Sequence, residues 1–100
     1  MRHMPKARRI VDRRFSHGEL LVQIVLWQLS APTAERPHGL KYRLYCGRAG
    51  TCVVRYDNES GKGDHRHYGE REEPYRFVSV DGLLADFAAD VKRLTRWRFE

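Results

Sequence analysis

Only the last quarter of the chain carries a helical period, and this limits the folds open to it. Val80, Leu83, Leu84, Phe87, Ala88, Val91 and Leu94 recur at spacings of three and four, which places them on one stripe of a helix. Ser79 or Asp81 stands where an N-cap belongs, and the helix is expected to run to about Arg96. Asp81 and Asp86 lie toward its start, whereas Lys92, Arg93 and Arg96 lie at its end, as the helix dipole favours. Such a stripe must be buried against another layer. Most of what precedes it reads in strands, so the expected fold is α+β: an antiparallel sheet of four to six strands packed on one C-terminal helix, with a more polar face left open. One hundred residues suffice for one domain and not for two.

The strands are expected in order. Ile10-Val11 to Phe15 forms the first, and Ser16-His17-Gly18 a three-residue hairpin loop. Glu19 to Leu29 is apolar on both faces apart from Gln23 and Gln28, which suits a long central strand. Ser30 to Gly39 is a loop. Leu40 to Cys46 and Cys52 to Tyr56 make a hairpin around Arg48-Ala49-Gly50, with Leu44 opposite Val54 and Tyr42 opposite Tyr56. A two-residue turn there would set Leu44 against Arg55, which argues for the three-residue loop. Lys41, Arg43 and Arg55 then share the other face with Tyr45, Val53 and Asp57. Pro74 to Val78 is expected as an edge strand, with proline first, where no donor is needed.

Charge is unevenly spread. Residues 1–14 hold six basic residues against one acidic, a net of +5 within a chain total of +6. A basic N-terminal arm of about residues 1–9 is expected. Lys6, Arg8, Arg9, Arg13 and Arg14, with Lys41 and Arg43 on the sheet, are the candidate nucleic-acid contacts. A solvated arm that only aids solubility is the plainer alternative. No apolar run is long enough to span a membrane, and the first residues lack the apolar core of a signal peptide. A cytoplasmic location is therefore expected, with Cys46 and Cys52 reduced. A zinc site of Cys46, Cys52, His65 and His67 is conceivable, although the spacing follows no standard pattern.

Chemistry is concentrated between Arg55 and Tyr68. His65 and His67 flank Arg66, so on an extended segment both rings point to one side, their Cα atoms about 6.6 Å apart. That separation could put an imidazole on each side of a phosphodiester, one as general base on the ribose 2′-OH and the other as general acid for the leaving oxygen. Arg55, Lys62 or Arg66 could stabilise the charge developing on phosphorus. Asp57 or Asp64 could orient a histidine ring. This scheme needs no metal and no cofactor. In competing readings the histidines and an aspartate bind a divalent metal, the module binds without catalysing, or the polar residues are a solvated loop.

The same residues carry a resemblance. The run V-V-R-Y-D-N-E-S-G-K-G-D-H-R-H-Y, then E-E-P-Y-R-F and V-D-G-L-L-A-D-F-A-A-D-V, with H-G-L-K-Y-R-L upstream, resembles the TumE family of toxin–antitoxin proteins over roughly His38 to Leu94. The resemblance implies a bacterial toxin, encoded beside a helix-turn-helix antitoxin that neutralises it, with RNA as the target. Combined with the histidine pair, the expected function is a toxin acting on RNA as a metal-independent endoribonuclease. The alternatives are a non-catalytic nucleic-acid- or protein-binding module, then a metal-dependent or nucleotide-transferring enzyme. Trp97 and Phe99, beyond the helical stripe, could cap the core or offer a contact to the antitoxin or to a second copy in a homodimer.

Overall fold

A computed structural model describes residues 6–59, 61 and 63–100 of the chain. Six strands, β1 (Ala7–His17), β2 (Leu20–Leu29), β3 (Leu40–Arg48), β4 (Thr51–Asp57), β5 (His65–Tyr68) and β6 (Arg71–Pro74), precede one helix, α1 (Val80–Thr95). The sheet is an antiparallel meander in chain order. The α+β class, the strand count and the single C-terminal helix agree with the sequence-based expectation.

Period-two alternation gives the sheet two unlike faces. Leu20, Val22, Ile24 and Leu26 of β2, Tyr42, Leu44 and Cys46 of β3, and Val54 and Tyr56 of β4 are buried on one side. Leu83, Phe87 and Val91 of α1 pack there with them. Val80 and Leu84 border this core, and Leu94, expected in the stripe, is exposed. Ser79 caps the helix, its Oγ accepting the Gly82 N–H at 2.9 Å, and Arg96 in the left-handed region ends it. Trp97 and Phe99 turn back onto the core. The Phe99 ring lies 5.2 Å from Phe15, and Trp97 lies 5.7 Å from His17.

Turns depart from expectation in an instructive way. Both long hairpins close with two residues instead of three: Gly18-Glu19, with His17 opposite Leu20, and Ala49-Gly50, with Arg48 opposite Thr51. Ala49 and Gly50 both have positive φ, at 49° and 82°, as a primed two-residue turn requires. Such a turn alone would put Leu44 against Arg55. A bulge at Val53 adds one residue to β4, so that Gly47 faces Cys52, Cys46 faces Val54 and Leu44 faces Tyr56. The expected Leu44–Val54 and Tyr42–Tyr56 pairs are not formed, yet these four residues keep their expected face. Cys52, expected opposite Cys46, pairs with Gly47 instead, and Val53, expected on the open face, packs against the core. The edge strand also moves. Gly69, at φ 60°, reverses the chain directly after β5, so β6 ends at Pro74 instead of starting there. The segment after Pro74 runs to the helix without strand structure.

Leu44 and Val54 have no exposed surface. Leu44→Asp or Val54→Asp is expected to abolish the cooperative melting transition, since an unpaired buried carboxylate costs several kcal/mol in a domain of marginal stability. Arg43→Ala is expected to melt near the parent. Deleting Val53 should be far less damaging than Leu44→Asp, because regular pairing from the same two-residue turn then leaves Cys46 opposite Val54 and Leu44 opposite Tyr56. Loss of the cooperative melt after that deletion would contradict the bulge.

Candidate functional site

Strand register lines up the open face in two rows across the sheet. One runs Arg14, Gln23, Tyr45, Arg55, His67, Glu72, and the other Asp12, Val25, Arg43, Asp57, His65, Pro74. No strand or helix of the described residues covers this face. Where the rows cross β4, β5 and β6, a shallow polar cavity of about 290 Å³ is lined by Arg43, Arg55, Asp57, Glu59, His65, His67 and Glu72.

The two histidines differ in hydrogen bonding. His65 is buried, with Nε2 at 2.6 Å from Asp57 Oδ1 and Nδ1 at 2.9 Å from the Gly63 carbonyl. Both nitrogens face oxygen acceptors, an arrangement satisfied in full when both carry a proton. His67 faces the opposite requirement. Its Nε2 lies 3.0 Å from Arg55 Nη2, which can only donate, and 3.2 Å from Glu72 Oε2. Burial first, then the Arg55 cation, hold His67 below the ordinary imidazole value, against the upward pull of Glu72 and Asp57. The two rings stand 5.0 Å apart, nearly perpendicular. Arg55 ties the group together, because its Nε lies 2.8 Å from Asp57 Oδ2. That contact is ionic, since the Nε–H is not directed at a hydrogen-bond acceptor.

Of the residues expected to carry chemistry, the structure gathers Arg55, Asp57, His65 and His67 and adds Arg43. Asp64 is not among them. It accepts from Tyr42 Oη at 2.7 Å and Asn58 Nδ2 at 3.3 Å and lies 3.0 Å from His38 Nε2. The His38 Nδ1 accepts the Leu40 N–H, so its Nε2 is the protonated nitrogen and donates to Asp64. This clasp joins the β2–β3 and β4–β5 connections and leaves Asp64 no part in orienting His65 or His67. Arg66 is also elsewhere, because alternation sends it to the helix side. There its Nε donates to Glu73 Oε1 at 2.7 Å, and its guanidinium lies within 5.8 Å of the Tyr56, Tyr68 and Tyr75 rings. Lys62 lies outside the described residues.

The basic N-terminal set is divided in the same way. Arg9 and Arg14 pair with Trp27 and Gln23 on the open face, whereas Arg8 and Arg13 pair with Gln28 and Ile24 on the helix side. Arg13 lines an apolar groove there with Phe15, Leu84 and Phe99. Lys6 stands at the start of β1, its carbonyl accepting the Ser30 N–H. Of the expected arm, residues 1–5 are not described and Ala7–Arg9 belong to β1. Lys41 and Arg43 lie on the open face, and Arg43 is opposite Asp57 instead of being left against Arg55.

Glu72 and Asn58 were missed by sequence reasoning. Gly69 was the available signal for Glu72, since a turn there puts Glu72 opposite His67. Nothing comparable marked Asn58, which holds the Tyr42 N–H and the Leu40 carbonyl with one amide. The four-ligand zinc arrangement is not formed, because Cys46 is sealed in the core, where burial pushes its thiol up to about 11. A smaller ligand set does exist: Asp57, His65 and His67 each offer one donor atom, all within 4.8 Å of one another. Asp90 on α1 is a further buried carboxylate. Burial works to raise it, but hydrogen bonds from Tyr56, Tyr68 and Arg93 prevail and hold it below the ordinary carboxylate value.

Fold and site together define a small α+β protein with an uncovered, basic sheet face and a paired-histidine pocket at one end of it. The family profile described as toxin TumE matches residues 3–95, and the chain belongs to this toxin family, the toxin half of a toxin–antitoxin pair. No curated protein and no solved structure matches the chain significantly. No helix among the described residues is long and apolar enough to cross a membrane.

Replacing Arg55 by Gln removes the nearest cation from His67 and should raise its titration midpoint, read from ring resonances by NMR. An unchanged midpoint would show that Arg55 does not set it. In the parent, His67 binds protons less readily folded than unfolded, so its contribution to stability falls as pH is lowered through about 6.5.

Proposed function

We propose that the toxin acts on RNA as an endoribonuclease at the His65–His67 pocket. The observation carrying this reading is the pairing, 5.0 Å apart, of one imidazole set between two acceptors and one facing a guanidinium donor. That is the division of labour a general acid and a general base need. His67 takes the proton of a ribose 2′-OH, whose oxygen attacks the adjacent phosphorus. The bond from phosphorus to the 5′-oxygen breaks, and the leaving oxygen takes a proton from His65, which it displaces from Asp57. The products are a 2′,3′-cyclic phosphate and a 5′-hydroxyl. Water returns His65 and His67 to their starting states. Arg55 and Arg43 stabilise the charge on the phosphoryl oxygens. Asp57 positions His65. We assign the neutralising partner to a helix-turn-helix antitoxin, and the cytoplasm, where RNA is found, as the site of action.

A metal centre is the second reading, favoured by the convergence of Asp57, His65 and His67 donors. The His65 Nδ1–H bond to a backbone carbonyl is also how metal-bound imidazoles are commonly held. The tests separate the two. Expression without antitoxin should arrest growth, and His67→Ala and His65→Ala should each relieve arrest while yielding folded protein. The purified toxin should cleave RNA in chelator and leave cyclic phosphate ends, with each histidine variant slower by roughly 100- to 10,000-fold. Loss of cleavage in chelator, restored by a divalent ion, would transfer the site to the metal reading. Toxic variants lacking both histidines would leave a binding module.

A further inference from the structure

Beside the pocket, the open face holds an aromatic arrangement that the cleavage chemistry does not use. Tyr45 on β3 lies opposite Arg55, in the row that leads to His67. Its ring folds back over Gly47. A Cβ built on Gly47 would meet the ring at 2.7 Å from Cζ and 2.9 Å from Cε1, and would come closer still to the hydroxyl. Gly47 is not among the residues with positive φ, so its backbone does not demand glycine. What demands glycine is the space that the tyrosine ring occupies. The ring is thereby laid against the sheet instead of standing up from it, and it stays half-buried. Arg43, which also lines the histidine pocket, has its guanidinium 5.0 Å from the ring centre. One strand further out the pattern repeats, with Lys41 Nζ 5.1 Å from the Trp27 ring directly across from it.

The geometry points to Tyr45, laid flat by Gly47 and flanked by Arg43, as a stacking platform for an unpaired nucleobase of a single-stranded RNA. The inference rests on the reading of the pocket as RNA-directed and extends it to the form of the substrate. Neighbouring strands are about 4.8 Å apart, so Tyr45 stands about 5 Å from Arg55 and about 10 Å from His67. A base next to the phosphate held by Arg55 reaches the ring, and Arg43 exchanges the ring for that phosphate. Cations alternating with aromatics match a chain of phosphates alternating with bases. Base pairing would keep the base edge-on and inside its stack, so duplex RNA cannot use the platform.

The test uses the full chain carrying His67→Ala, so that substrate survives, with a short single-stranded oligoribonucleotide followed by fluorescence anisotropy. Tyr45→Ala should weaken binding roughly 5- to 150-fold, the range of stacking one base on an aromatic ring. Tyr45→Phe and Tyr45→Trp should hold affinity, and Gly47→Val should lose it as Tyr45→Ala does. The slope of log affinity against log salt should not change with Tyr45→Ala, since no cation is removed, whereas Arg43→Ala should flatten it. An oligonucleotide scanned with single abasic residues should show one position where Tyr45→Ala costs nothing further. Parent-like binding by Tyr45→Ala, or a penalty that persists at every abasic position, would overturn the platform. Cleavage by the protein with native His67 is measured separately. Intact cleavage without a Tyr45 effect refutes the platform alone, and base stacking without any cleavage refutes only the nuclease reading.

Discussion

One added residue at Val53 keeps the two faces of this sheet distinct. The Ala49-Gly50 turn closes with two residues and would alone throw β4 out of phase with β3, sending Arg55 toward the core and Tyr56 to solvent. The bulge restores the phase. Because β5 pairs with β4 and β6 with β5, that correction passes to His65, His67 and Glu72. The core and the histidine pocket thus depend on the same local irregularity. Leu44, Val54 and Tyr56 can be sealed beneath α1 only in the register that also points Arg55, Asp57, His65 and His67 outward.

The two faces hold their polar groups differently. On the helix side, Asp90, Tyr56, Tyr68 and Arg66 form a satisfied network in which each tyrosine hydroxyl has a carboxylate partner, and burial together with that carboxylate raises both phenols. A network so closed specifies packing and has little to offer a substrate. The Asp64 clasp with His38, Tyr42 and Asn58 is of the same kind, fixing the loop that delivers β5. Across the sheet, Arg55 divides itself between Asp57 and His67, and Arg43 faces the same cavity. Competing demands on few groups, in an open cavity, are what a reacting phosphate could rearrange.

Much of the fold was legible in the residues. The 3,4 stripe from Val80 to Val91 defined the helix, and alternation assigned the faces of β3 and of β4 from Val54 onward correctly even with the partners displaced. Asp57 and the shared side of His65 and His67 were legible for the same reason. Turn length was not, because Ala49 gives no sign that it will adopt positive φ, and a bulge leaves no mark in composition. Placing Arg66 and Asp64 with the histidines treated proximity in sequence as proximity in space. Strict alternation already contradicted it for Arg66, while the distant His38 and Tyr42 decided it for Asp64. Nothing in the sequence marked the role of Gly47, which the Tyr45 ring above it accounts for.

The central claim is that the uncovered face with Arg55 and His67, and not the Tyr56–Asp90 side, meets the ligand. Backbone amide and imidazole resonances of the full chain, followed by NMR while a dinucleotide lacking the reactive 2′-hydroxyl is added, test it most directly. The account predicts shifts at His67, His65, Arg55, Arg43 and Tyr45, with Tyr68, Asp90 and the body of α1 unmoved. Shifts gathered around Arg66, Tyr68 and Asp90, with His67 silent, would contradict it.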